Sequence, residues 1–308
     1  MCYIPFSLIQ QLGKEEGFCQ MGAIAVSTIK KNFFDTWLQE GRHASMSYME
    51  SYKDKRQNPA MLVEEAKTMI CFLYSYNDDR ADENSTLKIA HYAQRKDYHY
   101  VLKEKLRNII TKLQEKYKDF SAKAFVDTAP ILERYWAKKC GLGWIGKSSL
   151  LINQQYGSKI FLGEIICNCT TDYNETEAKN MCASCSRCLN SCPNKAIGEN
   201  NFFDATKCVS YQTIENKDKI PNDFKTMGYI YGCDICLEIC PWNKKALKVP
   251  NQDIETKQLI KIILEKISQA TLEKKDFKHL AKLSPINRIK YEKFLDNISH
   301  NQNNMPQQ

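Results

Sequence analysis

The sequence predicts a mixed α/β chain in three parts: a layered-sheet domain over residues 1–174, a cysteine-rich domain over 175–250 and a short helical segment over 251–308. Three observations predict it. In the first part, apolar runs of strand length alternate with stretches of helical period, the pattern of a sheet covered by helices. Eight of the 14 cysteines then fall between Cys182 and Cys240. Past residue 250 the chain is lysine-rich, and its apolar residues recur at helical spacing.

Taken in order, Gln20–Val26 reads as a strand and Thr28–Glu40 as a helix, with Ile29, Phe33 and Trp37 at intervals of four. Asn58-Pro59 breaks the chain ahead of Thr68–Tyr74, an apolar run of strand length. Asn77–Ser85 is polar and reads as a loop. From Tyr98 to Tyr117, apolar residues at 98, 101, 102, 106, 109, 110 and 113 mark an amphipathic helix. Ala122–Val126 is a strand, and Asp127-Thr-Ala-Pro130 reads as its exit into a helix running to about Cys140. Strands follow near Ser149–Asn153 and Lys159–Cys167, then helices over Thr256–Ile267 and Arg288–Ile298. The polar end, 301–308, is expected to be disordered.

The first cysteine block reads Cys182-Ala-Ser-Cys185-Ser-Arg-Cys188-Leu-Asn-Ser-Cys192-Pro193. This is the C-x2-C-x2-C-x3-C-P run of two-cluster ferredoxins, whose fourth cysteine ligates the other cluster. Cys233-Asp-Ile-Cys236-Leu-Glu-Ile-Cys240-Pro241 repeats it with the leading cysteine displaced to Cys208. The expected ligand sets are Cys182, Cys185, Cys188 and Cys240 for one [4Fe–4S] cluster, and Cys192, Cys208, Cys233 and Cys236 for the other. Zinc needs four ligands in two C-x2-C pairs and does not call for the tight triplet. A disulfide framework suits a secreted chain, and nothing marks this one as secreted. Cys2, Cys19, Cys71, Cys140, Cys167 and Cys169 remain, and isolated cysteines are usually small buried hydrophobes.

The length suggests about two domains with ample core. A net charge of +8 and a pI of about 8.7 fit an anionic partner. No apolar run approaches the roughly 18 residues of a membrane span. The opening residues carry no basic stretch, apolar stretch or twin arginine, so the expectation is a cytoplasmic protein away from membranes.

Gly141-Leu-Gly143-Trp-Ile-Gly146-Lys147 satisfies G-x-G-x-x-G, with Glu164 where a ribose-binding acid would fall. A dinucleotide fingerprint follows a strand and opens a helix; here a helix precedes and a strand-like segment follows. The glycines point instead to backbone pressed against a cofactor or another element. Asp97-Tyr-His99 begins like the cobalamin motif D-x-H-x-x-G, but Leu102 stands where the glycine should be. Spacing alone therefore supports an electron-transfer protein with an unknown acceptor.

Several motifs together resemble the epoxyqueuosine reductases, cobalamin-dependent iron–sulfur enzymes that modify tRNA. They are Tyr48-Met49, Arg56-Gln-Asn-Pro59, Asp97-Tyr-His99, Val126-Asp-Thr-Ala-Pro130, Gly141–Lys147, Gly157-Ser158, both cysteine blocks and Leu283-Ser-Pro285. The resemblance implies reduction of epoxyqueuosine at the wobble position to queuosine, with two electrons and two protons. It implies cobalamin in an N-terminal domain related to that of reductive dehalogenases and nitroreductases, with no histidine on cobalt. An external low-potential donor would feed the clusters, and the chain is expected to be a monomer. Asp127 would be the general acid, its pKa raised by burial; the local alternative is a helix N-cap. Cobalamin contacts by position are Arg56, Ala90, Asp127, Gly143, Trp144, Ile145, Gly146, Leu151, Leu162, Ser210 and Asp234. Ser210 and Asp234 also adjoin ligands of the cluster that must lie near the corrin. For tRNA the candidates are Arg134, placed two helical turns from Asp127, and Lys217, Lys219, Lys225, Arg288, Lys290 and Lys293. Many family members continue past Leu-Ser-Pro with a helical-repeat extension that this sequence lacks. A reductive dehalogenase-like enzyme on small molecules is the other reading, which has no need of a basic surface.

Overall fold

The computed structural model describes residues 2–30, 33–83, 85–173, 177–199, 202–250 and 254–304. In chain order the first part holds α1 (Phe6–Glu15), β1 (Gln20–Ala25), α2 (Phe33–Gln39), α3 (Lys53–Gln57), β2 (Thr68–Ser75), β3 (Lys88–Ile89) and α4 (Tyr98–Lys116). Next come β4 (Ala122–Phe125), α5 (Glu133–Lys139), β5 (Trp144–Ile145), β6 (Leu151–Ile152) and β7 (Ile160–Cys167). The cysteine-rich part adds α6 (Arg187–Ser191), α7 (Val209–Ile214), β8 (Tyr229–Tyr231), α8 (Ile235–Glu238) and α9 (Pro241–Lys245). Three helices end the chain, α10 (Ile254–Ser268), α11 (Lys274–Leu283) and α12 (Tyr291–Asn304).

The main sheet runs β1-β2-β7-β4 with every neighbour antiparallel. Alternate side chains of a strand leave on opposite faces, and both faces are covered. Ile70 and Phe72 of β2 and Phe161 and Ile165 of β7 pack with Leu102, Leu106 and Ile109 of α4 and Ile9 of α1. Met69, Cys71 and Leu73, with Ile166, pack on the other side against Trp136 and Ala137 of α5. Buried on both sides, β2 reads as a continuous apolar run rather than an alternating one.

A second core joins the end of the chain to its middle. Ile89 and Ala93 pack with Ile230 and Tyr231, and with Ile260 of α10, Leu280 of α11 and Phe294 of α12. The expected disorder of 301–308 is corrected for its first half. Helix α12 continues to Asn304 because Asn301 is buried, accepts from Thr226 Oγ1 and donates to the Tyr229 carbonyl; residues 305–308 lie outside the described ones. The helix expected over 28–40 is shorter, at Phe33–Gln39, with 31–32 outside the described residues. Ile29 instead donates its amide to the Gln57 carbonyl. Nor is every leftover cysteine a lone hydrophobe: Cys2 and Cys169 form a disulfide, brought together where Ile4 pairs with Thr170. Among the described residues no helix is long and apolar enough to cross a membrane.

Candidate active site

The loop from β4 to α5 carries Asp127 in the left-handed region, at φ 54°. That conformation costs a non-glycine residue about 1 kcal/mol or more, so the surroundings must hold it. Asp127 is not a helix cap: α5 begins at Glu133, six residues on, and its N-cap is Leu132. The Asp127 amide donates to Glu133 Oε1 at 2.5 Å. Its carboxylate meets the start of α4, accepting from the Tyr98 hydroxyl at 2.8 Å and lying 2.9 Å from His99 Nε2. The other ring nitrogen, Nδ1, is 2.6 Å from Asp97 Oδ1, and the same Asp97 oxygen caps α4 by accepting the His99 amide. The Asp97-Tyr-His99 triplet thus places two residues on Asp127 and the third on the histidine, leaving the imidazole no free nitrogen.

The side chain of Asp127 is 54% exposed, with the Tyr98 hydroxyl and the His99 ring against its Oδ2, and this open face is the candidate cleft. Desolvation pushes its pKa up, but the net rise expected from the sequence is corrected here. Hydrogen bonds from His99 and Tyr98, with the charges of His99 and Arg134, outweigh that and lower it. Desolvation lowers His99, but its bonds to Asp127 and Asp97 prevail and lift it to about 9. At neutral pH the proton therefore sits on the imidazole and Asp127 is ionised. Arg134 is beside Asp127 although no helix joins them, and its Nη1 donates to the Ser149 carbonyl.

Rings connect this cleft to the cysteine-rich part. Tyr98 stacks on Phe161 with centroids 4.3 Å apart, and Phe161 meets Tyr76 at 4.5 Å. The Tyr76 hydroxyl is near enough to Cys236 and Asp234 to feel their charge. Tyr92 packs on both Tyr98 and Tyr231, the last residue of β8 before the Cys233 loop. On the far side Arg288 lies over the Tyr48 ring at 5.6 Å and pairs with Glu215; the charge of Asp127 reaches both Tyr48 and Arg288.

The eight clustered cysteines lie close together, and Cys236 of the second expected set also neighbours Cys188 of the first. Cys188 neighbours Cys182 and Cys240, and Cys240 neighbours Cys182 and Cys185, around a cavity of about 50 Å³. Cys233 and Cys236 neighbour Cys208, while Cys236 and Cys208 neighbour Cys192. Burial pushes the Cys208, Cys233 and Cys236 thiols up, so they need a nearby cation to ionise, which cluster iron supplies. Among the described residues no three ligating side chains close on one point as they would on a single ion. A [4Fe–4S] cube binds each thiolate through a different iron, so wider spacing fits.

The glycine motif packs on another element. A Cβ on Gly143 would lie 2.2 Å from the Ile152 carbonyl oxygen, across the β5–β6 hairpin. Trp144 meets Trp242 edge-on at 5.0 Å and Lys147 donates to the Ala183 carbonyl, so the turn braces the first cysteine block. The residues named for cobalamin divide. Leu151 is buried core beside Trp136, Ala90 is buried against Gly232, and the Asp234 carboxylate is taken by Arg80 and the His91 amide. Leu151 and Ala90 are thus packed among apolar neighbours, and one Asp234 oxygen is already shared by two donors. Among the described residues the buried Arg56 Nε–H has no acceptor, and Ser210 is partly accessible beside Cys208. Together with the Asp127 carboxylate they supply polar atoms suited to the amide-fringed corrin. A larger cavity of about 110 Å³, between Tyr74 and Pro250, holds none of the candidate residues.

Of the basic candidates, Lys217, Lys219, Lys225, Arg288 and Lys290 are exposed. Lys293 is a correction: it is buried in α12 and its ammonium donates to the Asp218 carbonyl. Missing from the sequence reading were Tyr98 and His99 as partners of Asp127, and the acids Glu133 and Glu164 behind it. A polar triplet at a helix start was visible, but the partner 28 residues away was not.

With this geometry in hand, the chain can be set beside known proteins. A family model described as epoxyqueuosine reductase QueG, DUF1730, matches residues 56–128, and one for a 4Fe-4S double cluster binding domain matches 181–243. The epoxyqueuosine reductase of Cyclobacterium marinum is 37% identical over 303 residues, 94% of each chain. That of Leadbetterella byssophila is 36% identical, over 94% of this chain and 96% of its own. The solved structure of the Streptococcus thermophilus epoxyqueuosine reductase superposes with a TM-score of 0.81 at 27% identity, covering 95% of this chain and 79% of that one. Another solved epoxyqueuosine reductase, 24% identical with a TM-score of 0.77 over 97% of this chain and 83% of its own, was captured with an epoxyqueuosine-modified tRNA stem loop. By its sequence identity along nearly its whole length, the chain belongs to the epoxyqueuosine reductase family.

Proposed function

We propose that the cleft around Asp127 is where this chain carries out its family's reaction, the reduction of epoxyqueuosine to queuosine in tRNA. The observation that carries the assignment is the Asp97–His99–Asp127 relay, with the Tyr98 hydroxyl donating to the same Asp127 oxygen. Loss of the epoxide oxygen as water, leaving an alkene, takes two electrons and two protons. The electrons come from an external low-potential donor through two [4Fe–4S] clusters on the eight cysteines. Cobalamin would be held by Arg56 and Ser210 beside the Asp127 carboxylate, and would supply a strongly reducing, nucleophilic cobalt centre when bound.

Proton delivery falls to the chain's own residues. His99 holds a proton between two carboxylates, with Asp97 fixing the ring. As negative charge grows on the departing oxygen, that proton passes through the Asp127 carboxyl to it, and solvent supplies the second. Asp127 thus acts as an acid although its own pKa is low, because the pair rather than the carboxyl stores the proton.

A pH dependence follows. His99 is raised above its ordinary 6.5, so its stabilising contribution is complete below that value and is lost as pH rises through about 9. Asp127 is lowered from 3.8, so its contribution is present above that value and is lost as pH falls below it. Single-turnover rates should hold across neutral pH and drop through about 9 as the proton leaves. A profile still flat at pH ~10, well above that titration, would remove His99 from the proton path.

The exposed Lys217, Lys219, Lys225 and Lys290, with Arg288, would neutralise tRNA phosphates, and Arg134 would meet the substrate beside Asp127. Replacing any one of these lysines by alanine should reduce the salt slope of tRNA binding by about one, in filter-binding measured across salt concentrations. An unchanged slope in all four variants would place the tRNA elsewhere.

The reaction itself is tested by nucleoside mass spectrometry of epoxyqueuosine-containing tRNA, after anaerobic incubation with cluster-loaded protein and reductant. Loss of one oxygen's mass only when cobalamin is present is the expected result. No loss from protein shown to carry both clusters and cobalamin would leave an electron-transfer protein without this substrate.

A further inference from the structure

Glu164 lies in the middle of β7, in register with Phe125 of β4 and Cys71 of β2, and is 0% exposed. Neither of its carboxyl oxygens finds a donor among the described residues, yet the Glu133 carboxyl is within hydrogen-bonding reach. Glu133, at the first turn of α5, accepts the Asp127 amide. We infer that Glu133 and Glu164 are positioning residues for the Asp127 acid: a protonated Glu164 donates to Glu133, and Glu133 holds the Asp127 backbone in its left-handed conformation.

The physical reason is the absence of any other way to keep two carboxyls there. Facing the pair are Cys71 from β2, Cys140 beyond α5, Asp127 and Tyr98 from the cleft, and Arg134 as a neighbouring cation. Two carboxylates buried side by side cannot both ionise, but one shared proton turns their repulsion into a strong hydrogen bond. Burial raises both acids, Glu133 to about 7 and Glu164 well above the usual carboxylate range. The pair acts on the main chain, because Glu133 meets the Asp127 amide while the Asp127 carboxylate faces His99 and Tyr98. Holding the backbone is therefore what keeps that carboxylate on His99. The inference builds on Asp127 as the acid, but its test needs neither cobalamin nor turnover.

The test is the titration of His99, followed by NMR on the cluster-loaded full chain with isotope-labelled histidine. Wild-type His99 should titrate at about 9. In Glu133→Ala the loop should release the imidazole, and the titration should fall by roughly two units toward that of an ordinary histidine. Glu133→Gln, which still accepts the amide, should restore the high value, and Glu164→Gln, whose amide N–H donates without needing a carboxyl proton, should keep it. If Glu133→Ala fails to fold, Glu133→Asp, one methylene too short to reach the amide, carries the same expectation. A folded Glu133→Ala or Glu133→Asp in which His99 still titrates at about 9 overturns the inference, as does a Glu164→Gln variant that lowers it. An ordinary titration in the wild type would instead break the His99–Asp127 relay itself, a separate failure.

Discussion

Asp127→Asn should fold, keep both clusters and bind cobalamin, yet lose about 10²- to 10⁴-fold in turnover, the range for removing a positioned general acid. The amide is isosteric, still accepts from Tyr98, and tolerates the φ of 54° as asparagine readily does. What it cannot do is pass a proton from His99 to a departing oxygen. It also removes the negative charge that holds His99 protonated, so the imidazole should titrate lower than about 9. Asp97 remains, so the fall should be partial. Anaerobic single-turnover rates, with iron content and the visible spectrum as controls, check the first effect, and histidine NMR the second. A variant with full activity would reduce Asp127 to a structural loop residue. Loss of activity together with loss of cobalamin would make it a binding residue rather than an acid.

How much of this was legible in the sequence depends on the range over which each interaction acts. The cluster ligands were legible because their spacing is local, two or three residues between neighbours within each block, with only Cys208 remote. Strands β2 and β7 were legible because burial on both faces leaves an unbroken apolar run. Helix α4 showed through its buried stripe of Leu102, Leu106, Ile109 and Leu113. Helices α1 and α11 were passed over, although Glu273 and Asp276 form a capping box that announces α11. The Asp127 loop was misread locally, because Asp-Thr-Ala-Pro is good N-cap chemistry and the helix nevertheless starts six residues later. The partners of Asp127 were out of reach for a different reason. Tyr98 and His99 stand 29 and 28 residues away, joined to it only by the packing of α4 on the sheet. Glu164 was noticed in the wrong role, as a ribose acid, because a single sequence does not say which face of β7 meets α5.

The same limit hid a buried charge network in the stretch read simply as a polar loop, and it carries the largest stability effect expected here. Arg80 grips Asp82 with Nε and Nη2 at 2.9 and 3.0 Å, and its Nη1 reaches Asp234, 154 residues on, at 2.5 Å. Nη2 also donates to the Ile89 carbonyl at 2.8 Å. Both aspartates are almost fully buried, and each accepts a backbone amide as well, Asp82 from Ile89 and Asp234 from His91. One guanidinium therefore ties the loop after β2, the short strand β3 and the turn between Cys233 and Cys236. Beside it, Asp78 takes His91, Arg95 and Lys257, the last of which fastens α10 to the same place. Arg80→Met keeps the length of the side chain and strips its donors, leaving two buried carboxylates without their cation. Breaking a buried pair from one side typically costs about 3–5 kcal/mol, a large share of the roughly 5–15 kcal/mol that holds a folded domain. The urea midpoint should fall accordingly. Because the released turn holds cluster ligands, the variant should also shed iron during gel filtration while Lys219→Ala, changed at an exposed position, keeps it. Wild-type stability with full iron retention would mean that the turn is held by the clusters alone and that Arg80 merely fills space.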